Sequence, residues 1–275
     1  LPDFTKKLKL AKGLADLSKK KVLLIIPSEK WLLEEGYDLN ELKRVLGIEV
    51  ELLKLDEFIK VYEKAKVDHE LVEKFSRAKK LGINEEEVRK SAKVFDAIKS
   101  LIVERNAIAY GIRCFPFILS TGVTPCLAIS HSIDSGIIGA CEADLGALIT
   151  MLLAFSITKQ PVFMGNIEDI SENQIVLAHC TIATSLVKNY QLLTHFETNS
   201  SVSIRGILPI GEKITLLRLS NDFKKLFLAT GEIIRGEAWS DEFCRTQFMI
   251  KLNRDASTLI ENPISSHLIM IRGDW

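Results

Sequence analysis

The sequence predicts an α/β fold: a domain built on a mostly parallel sheet, followed by a smaller antiparallel β-rich domain of barrel type. Three observations carry this prediction. Short apolar runs alternate with amphipathic stretches through the first two thirds of the chain, and near residue 192 the pattern changes to short strands broken by Gly, Pro, Asn and Asp. The 275 residues are 47% hydrophobic and 26% charged, which supplies apolar side chains for one large or two modest cores.

Taken in order, Phe4, Leu8, Ala11, Ala15 and Leu17 recur at helical intervals among lysines, so residues 1–20 read as a linker helix. Residues 22–26 form a continuous apolar run closed by Pro27, the pattern of a strand buried on both faces. A helix over 39–46 stops at Gly47, a second strand covers 48–53, and Asp56 opens a helix through Lys64. The highly charged stretch 68–106 contains Asn84 and, three residues on, Glu87, the form of a capping box opening a helix through Glu104; its charges read as a solvated face. Strands follow over 107–112, 137–140 and 161–164, with helices starting at 125 and spanning 145–157, so the α/β domain covers 21–195. In the β-rich domain, 196–275, strands are expected over 202–207, 213–219, 225–229, 231–234, 246–252 and 268–272.

Composition and motifs exclude several functions. Thirty-six basic residues balance thirty-six acidic ones, so no overall field draws the chain to nucleic acid or to an anionic membrane. The longest strongly apolar stretch, 147–157, is far short of the roughly 20 residues of a membrane span. Five cysteines without a C-x-x-C pair point to reduced thiols and a cytoplasmic protein. No G-x-G-x-x-G, G-x-S-x-G or H-E-x-x-H occurs. Gly206 to Lys213 imitates a phosphate loop, but Glu212 stands where that loop needs lysine.

Metal-capable side chains follow apolar strands at three places: Cys141-Glu142-Ala143-Asp144, Asn166 to Asp169, and His179-Cys180. In open α/β sheets this is where ligands gather, because strand ends and the loops after them form a crevice. His267 stands at the mouth of a later strand. Carboxylate with imidazole favours Mn²⁺ or Mg²⁺ over structural zinc. Each residue also has a purely structural reading: Glu142 and Asp144 as first-turn helix charges, His179 as a core histidine, Asn166 and Asp169 as turn residues.

Several phrases together resemble the L-fucose isomerase and L-arabinose isomerase superfamily, nearer the fucose branch, from about residue 20 onwards. They are Thr124-Pro125-Cys126-Leu127-Ala128, the run from Ala140 through Cys141, Glu142, Ala143 and Asp144 to Met151, Pro161 to Gly165, Ala178-His179-Cys180, and His267 to Asp274. The resemblance implies a Mn²⁺-dependent aldose–ketose isomerase acting on a fucose- or arabinose-type sugar through a cis-enediol. It implies Glu142 as metal ligand and acid/base, and His267 as the histidine ligand from the C-terminal domain. Asn166 falls where the family carries its second carboxylate ligand, and Ser266 where another histidine is common. Asn166 can coordinate through its amide oxygen but cannot act as a base; Asp169, three residues on, is a second-tier candidate to compensate, as is His179. A non-catalytic carbohydrate-binding relative is the alternative. The resemblance further implies an additional N-terminal domain and a homo-oligomer, trimer or hexamer.

Overall fold

Val22 to Ile26 are all buried because the strand they form has neighbours on both edges and helices on both faces. A computed structural model describes residues 2–261 and 263–275. The order of elements is α1 (Pro2–Leu17), β1 (Lys21–Ile26), α2 (Glu29–Glu34), α3 (Leu39–Leu46), β2 (Glu49–Lys54), α4 (Leu55–Lys64), α5 (His69–Ser76), β3 (Lys79–Leu81) and α6 (Glu85–Glu104). Next come β4 (Ala109–Ile112), α7 (Cys114–Thr121), α8 (Cys126–Asp134), β5 (Ile138–Ala140) and α9 (Leu145–Thr158). The remainder is β6 (Phe163–Ser171), β7 (Gln174–His179), β8 (Asn189–Leu193), β9 (Ser203–Ile207), β10 (Lys213–Leu219), β11 (Leu226–Arg235), β12 (Thr246–Leu252), α10 (Thr258–Glu261) and β13 (His267–Arg272). No described helix is long and apolar enough to cross a membrane.

The first sheet is fully parallel in the order β2-β1-β4-β5, with Val22 paired to both Val50 and Ala109. As expected, Gly47 ends α3 in the left-handed conformation and Asn84 accepts the Glu87 backbone N–H to cap α6; Asp38 caps α3, and α4 starts at Leu55 without a side-chain cap rather than at the expected Asp56. The barrel is a closed, antiparallel ring of six strands in the order β10-β11-β12-β7-β6-β13. Two of its strands, β6 and β7, come from the stretch whose short apolar run reads as one more parallel strand. Closure explains the difference, since β6 pairs with β13 and β7 with β12, leaving no free edge. The expected strands 225–229 and 231–234 are one strand, β11, continuous through Gly231. A third sheet, β3-β8-β9, bridges the two parts.

Helix α9 joins the layers. Its sequence is apolar all round, and a helix of that kind must be covered on every side. It packs on β4 and β5 of the parallel sheet and on β6, β10 and β13 of the barrel, while α1 covers its outer face. Its N-terminus therefore sits where the carboxyl ends of β4 and β5 meet the start of β13.

At the end of α8, the Asp134 carboxylate gathers Lys74 Nζ at 2.6 Å, the Thr184 backbone N–H at 2.9 Å and the Thr184 hydroxyl at 2.7 Å. Burial opposes its charge, but these donors hold its carboxyl below the usual aspartate value of 3.8. A depressed folded value means that the contribution is present above about pH 3.8 and disappears as pH falls through the folded value. Asp134→Asn is expected to cost about 1–3 kcal/mol at pH 7. In urea melts the gap between wild type and variant should narrow as pH falls below 3.8.

Candidate metal centre

Strand β5 is followed by a tight 3-10 turn, Cys141–Ala143, before α9 begins. Glu142 (φ 58°, ψ 6°) and Ala143 (φ 53°) both adopt the left-handed conformation, which costs non-glycine residues roughly 1–3 kcal/mol each. The turn lies close against β4, where a Cβ on Gly111 would stand 3.4 Å from the Ala143 Cα and 2.8 Å from Leu24 Cδ1. The Arg113 guanidinium donates to the Glu142 carbonyl oxygen at 3.2 Å and steadies the strained peptide. Asp144, not Glu142, caps the helix, accepting the Ala147 N–H at 2.8 Å. The Glu142 carboxylate is thus freed from the helix terminus.

It meets two imidazoles there. His267 Nε2 lies 3.5 Å and His179 Nε2 3.9 Å from Glu142 Oε1, and the two rings are 6.0 Å apart. Both histidines are buried, whereas Glu142 is partly open. The 3.5 Å approach is an ion-pair contact without hydrogen-bond geometry, so His267 Nε2 and both nitrogens of His179 are buried without a hydrogen-bond partner. Those orphaned nitrogens beside a carboxylate form a donor set that fits a divalent cation.

The other His267 nitrogen is fully used. Nδ1 lies 2.9 Å from Asp144 Oδ2, and Asp144 Oδ1 accepts from Arg218 Nη2 at 2.9 Å and from the Tyr37 hydroxyl at 3.2 Å. With Nδ1 donating to Asp144, Nε2 is the nitrogen that faces Glu142, the arrangement in which a carboxylate orients a ligating histidine. Arg218, on β10, is 1% exposed. Its guanidinium crosses the first turn of α9 because residue 146 is glycine; a Cβ there would lie 2.7 Å from Nη2.

The charges follow from these contacts. Burial alone would lower the His267 imidazole, but hydrogen bonding and the charges of Asp144 and Glu142 carry it up to about 9. Burial pushes His179 down to about 4 despite the neighbouring Glu142. Burial would raise both carboxyls, yet His267 and His179 keep Glu142 below its usual range, and His267 with Arg218 holds Asp144 well below its own.

Glu142 and His267 thus come together as the sequence predicts, with His179 as the third member. Asn166 is placed beside them by register: it pairs with His267 across β6 and β13 and with Ala178 across β6 and β7. Asp169 is exposed and pairs with Val176 beyond a register shift. The residue skipped by that shift is Glu168, half-buried, with its carboxyl raised by burial and by Glu197. The roles of Arg218, Tyr37 and Glu168 escaped the sequence reading. Arg218 did leave a trace, since on an alternating strand it falls on the same face as the buried Ile214 and Leu216.

Arg218→Met would remove one of the two cationic partners of the buried Asp144 charge, with an expected loss of about 3–5 kcal/mol. Asp144→Asn removes the charge while keeping the helix cap. In a double-mutant cycle read by urea unfolding, the pair should therefore be strongly non-additive.

No protein-family model matches the chain. Among curated proteins, it is 26% identical over 252 residues to the sulfoquinovose isomerase of Priestia aryabhattai, covering 86% of this chain and 56% of the relative. It is 27% identical over 193 residues to the sulfoquinovose isomerase of Clostridium sp. (strain MSTE9), covering 62% and 41% of the two chains. A third, from Alkalicoccus urumqiensis, is 31% identical over 97 residues, 34% of this chain and 22% of the relative. The chain spans about half the length of the relatives it matches over most of its own length. By sequence it is similar to sugar isomerases.

Proposed function

We propose that this chain carries the metal centre of an aldose–ketose isomerase acting on a small sugar. The observation that carries the reading is the orientation of His267, whose Nδ1 is committed to Asp144 and whose Nε2 is left, with His179, facing the Glu142 carboxylate. The names of the similar proteins give the same reaction class. Glu142 and His267 would hold a divalent cation such as Mn²⁺, with His179 and the Asn166 amide oxygen as further donors. Bound there, the cation would stabilise negative charge on adjacent sugar oxygens.

The protein's own groups divide the remaining work. Isomerisation moves a proton between neighbouring carbons, so a carboxylate must accept it and a carboxyl group must return it. Glu142, held ionised, is suited to accept. Asn166 brings no charge and orients hydroxyl groups through its amide. Glu168, half-buried on the bulge and within the field of His267, is a better second carboxyl than the exposed Asp169. Asp144 and Arg218 position His267 without touching substrate.

Asn166 also supports a second reading, a carbohydrate-binding relative without turnover. The two readings part in one set of measurements. A panel containing L-fucose, L-arabinose and sulfoquinovose is assayed with and without Mn²⁺, alongside thermal melts. Isomerisation should be Mn²⁺-dependent and Glu142→Gln should abolish it, while Mn²⁺ should raise the wild-type melting temperature by several degrees. Sugar-induced stabilisation that ignores Mn²⁺, with no conversion, would establish the binding reading. Glu168→Gln is expected to lower kcat by about 10²- to 10⁴-fold with little change in Mn²⁺ affinity. Asn166→Asp adds a charged donor and should tighten Mn²⁺ binding measured by calorimetry.

A further inference from the structure

A second set of metal-capable side chains lies next to the first and has no part in the chemistry above. Cys180 immediately follows His179 at the end of β7. Cys180 Sγ, a ring nitrogen of His195 and a carboxylate oxygen of Glu197 all lie within 4.8 Å of one another. His195 Nε2 is 3.2 Å from Glu197 Oε2, and Cys244 Sγ is 3.7 Å from Glu197 Oε1. Cys180, Cys244 and His195 are buried, whereas Glu197 reaches them from the surface.

Three chain segments must meet for this, and the backbone brings each one in. The β7–β12 register pairs His179 with Thr246, so Cys244 runs alongside the segment leaving β7. Arg245 Nε donates to the Thr194 carbonyl at 2.9 Å and draws in the loop that carries His195 and Glu197. That loop is itself tied by the His195 N–H to the Ser200 carbonyl and by the Asn199 N–H to the His195 carbonyl. The His195 Nδ1 contacts the Thr198 hydroxyl at 3.1 Å, so Nε2 is the nitrogen turned to the cluster. Ala178 and Cys126 pack against the two thiols, with Phe196 and Phe243 at the margin, which gives the donors an apolar surround.

We propose that Cys180, Cys244, His195 and Glu197 form a structural binding site for a soft divalent cation of the zinc type, separate from the Glu142 centre. Two sulfurs, one imidazole and one carboxylate are a tetrahedral zinc set, and thiolates select against Mn²⁺ and Mg²⁺. The two neighbouring centres would then sort cations by ligand hardness. The zinc would clasp the 194–202 loop to the end of β7 and so fix the position of His179.

Cobalt(II) tests this, because thiolate ligation gives a sulfur-to-cobalt charge-transfer band that a site of carboxylate and imidazole lacks. The reduced, chelator-treated chain is titrated with Co²⁺. The expected result is a charge-transfer band saturating at one equivalent, displaced by Zn²⁺, retained in Glu142→Gln and lost in the double variant Cys180→Ser, Cys244→Ser. His195→Ala, in a loop, should weaken Co²⁺ binding at least about tenfold. The proposal is overturned if wild type binds Co²⁺ without that band. It is equally overturned if the band survives the double cysteine variant, or if His195→Ala binds as wild type does. Should the double variant fail to fold, the wild-type spectrum and His195→Ala decide the matter. None of these readouts depends on sugar turnover.

Discussion

The Asp144 carboxylate is the constraint on which the arrangement depends. It caps α9, neutralises the fully buried Arg218 of β10 and orients His267 of β13, so one side chain from the parallel-sheet part binds two barrel strands. Its charge survives burial only because the helix N-terminus, a guanidinium and an imidazole surround it. The same bonds fix which His267 nitrogen is available. Stability and the geometry of the candidate site therefore rest on the same atoms here, and the strained Glu142 turn is tolerated because both of its flanks are anchored.

Much of the fold is legible in the sequence because local and tertiary preferences agree. The apolar run of β1, the Asn84 cap, the stop at Gly47 and the uniformly apolar α9 each state their environment. Strands β6 and β7 do not. A short apolar run is compatible with a parallel or an antiparallel partner, and only ring closure through β13 decides. Likewise, α5 and α7 lie in stretches whose charge or Pro and Gly content hides their period.

The site divides along the same line. Glu142 and His267 are candidates because each stands beside a strand terminus, and the resemblance carried by the surrounding motifs singles them out. Glu168 is hidden because the bulge that turns it follows from a pairing register. The cluster of Cys180, His195, Glu197 and Cys244 has no conventional ligand spacing, since its members come from three segments joined only by β-pairing. Sequence similarity to sugar isomerases and the meeting of one carboxylate with two imidazoles at Glu142 are separate observations.

The barrel's closure carries a consequence for biosynthesis. Asp144 and His267 are 123 positions apart, and β13 is the strand that links β10 to β6. On the ribosome the segments of the parallel sheet and α9 emerge before β13, so Glu142 is without the His267 imidazole until that strand docks. Any property that needs the Glu142 carboxylate and the His267 imidazole together therefore waits on closure of the ring.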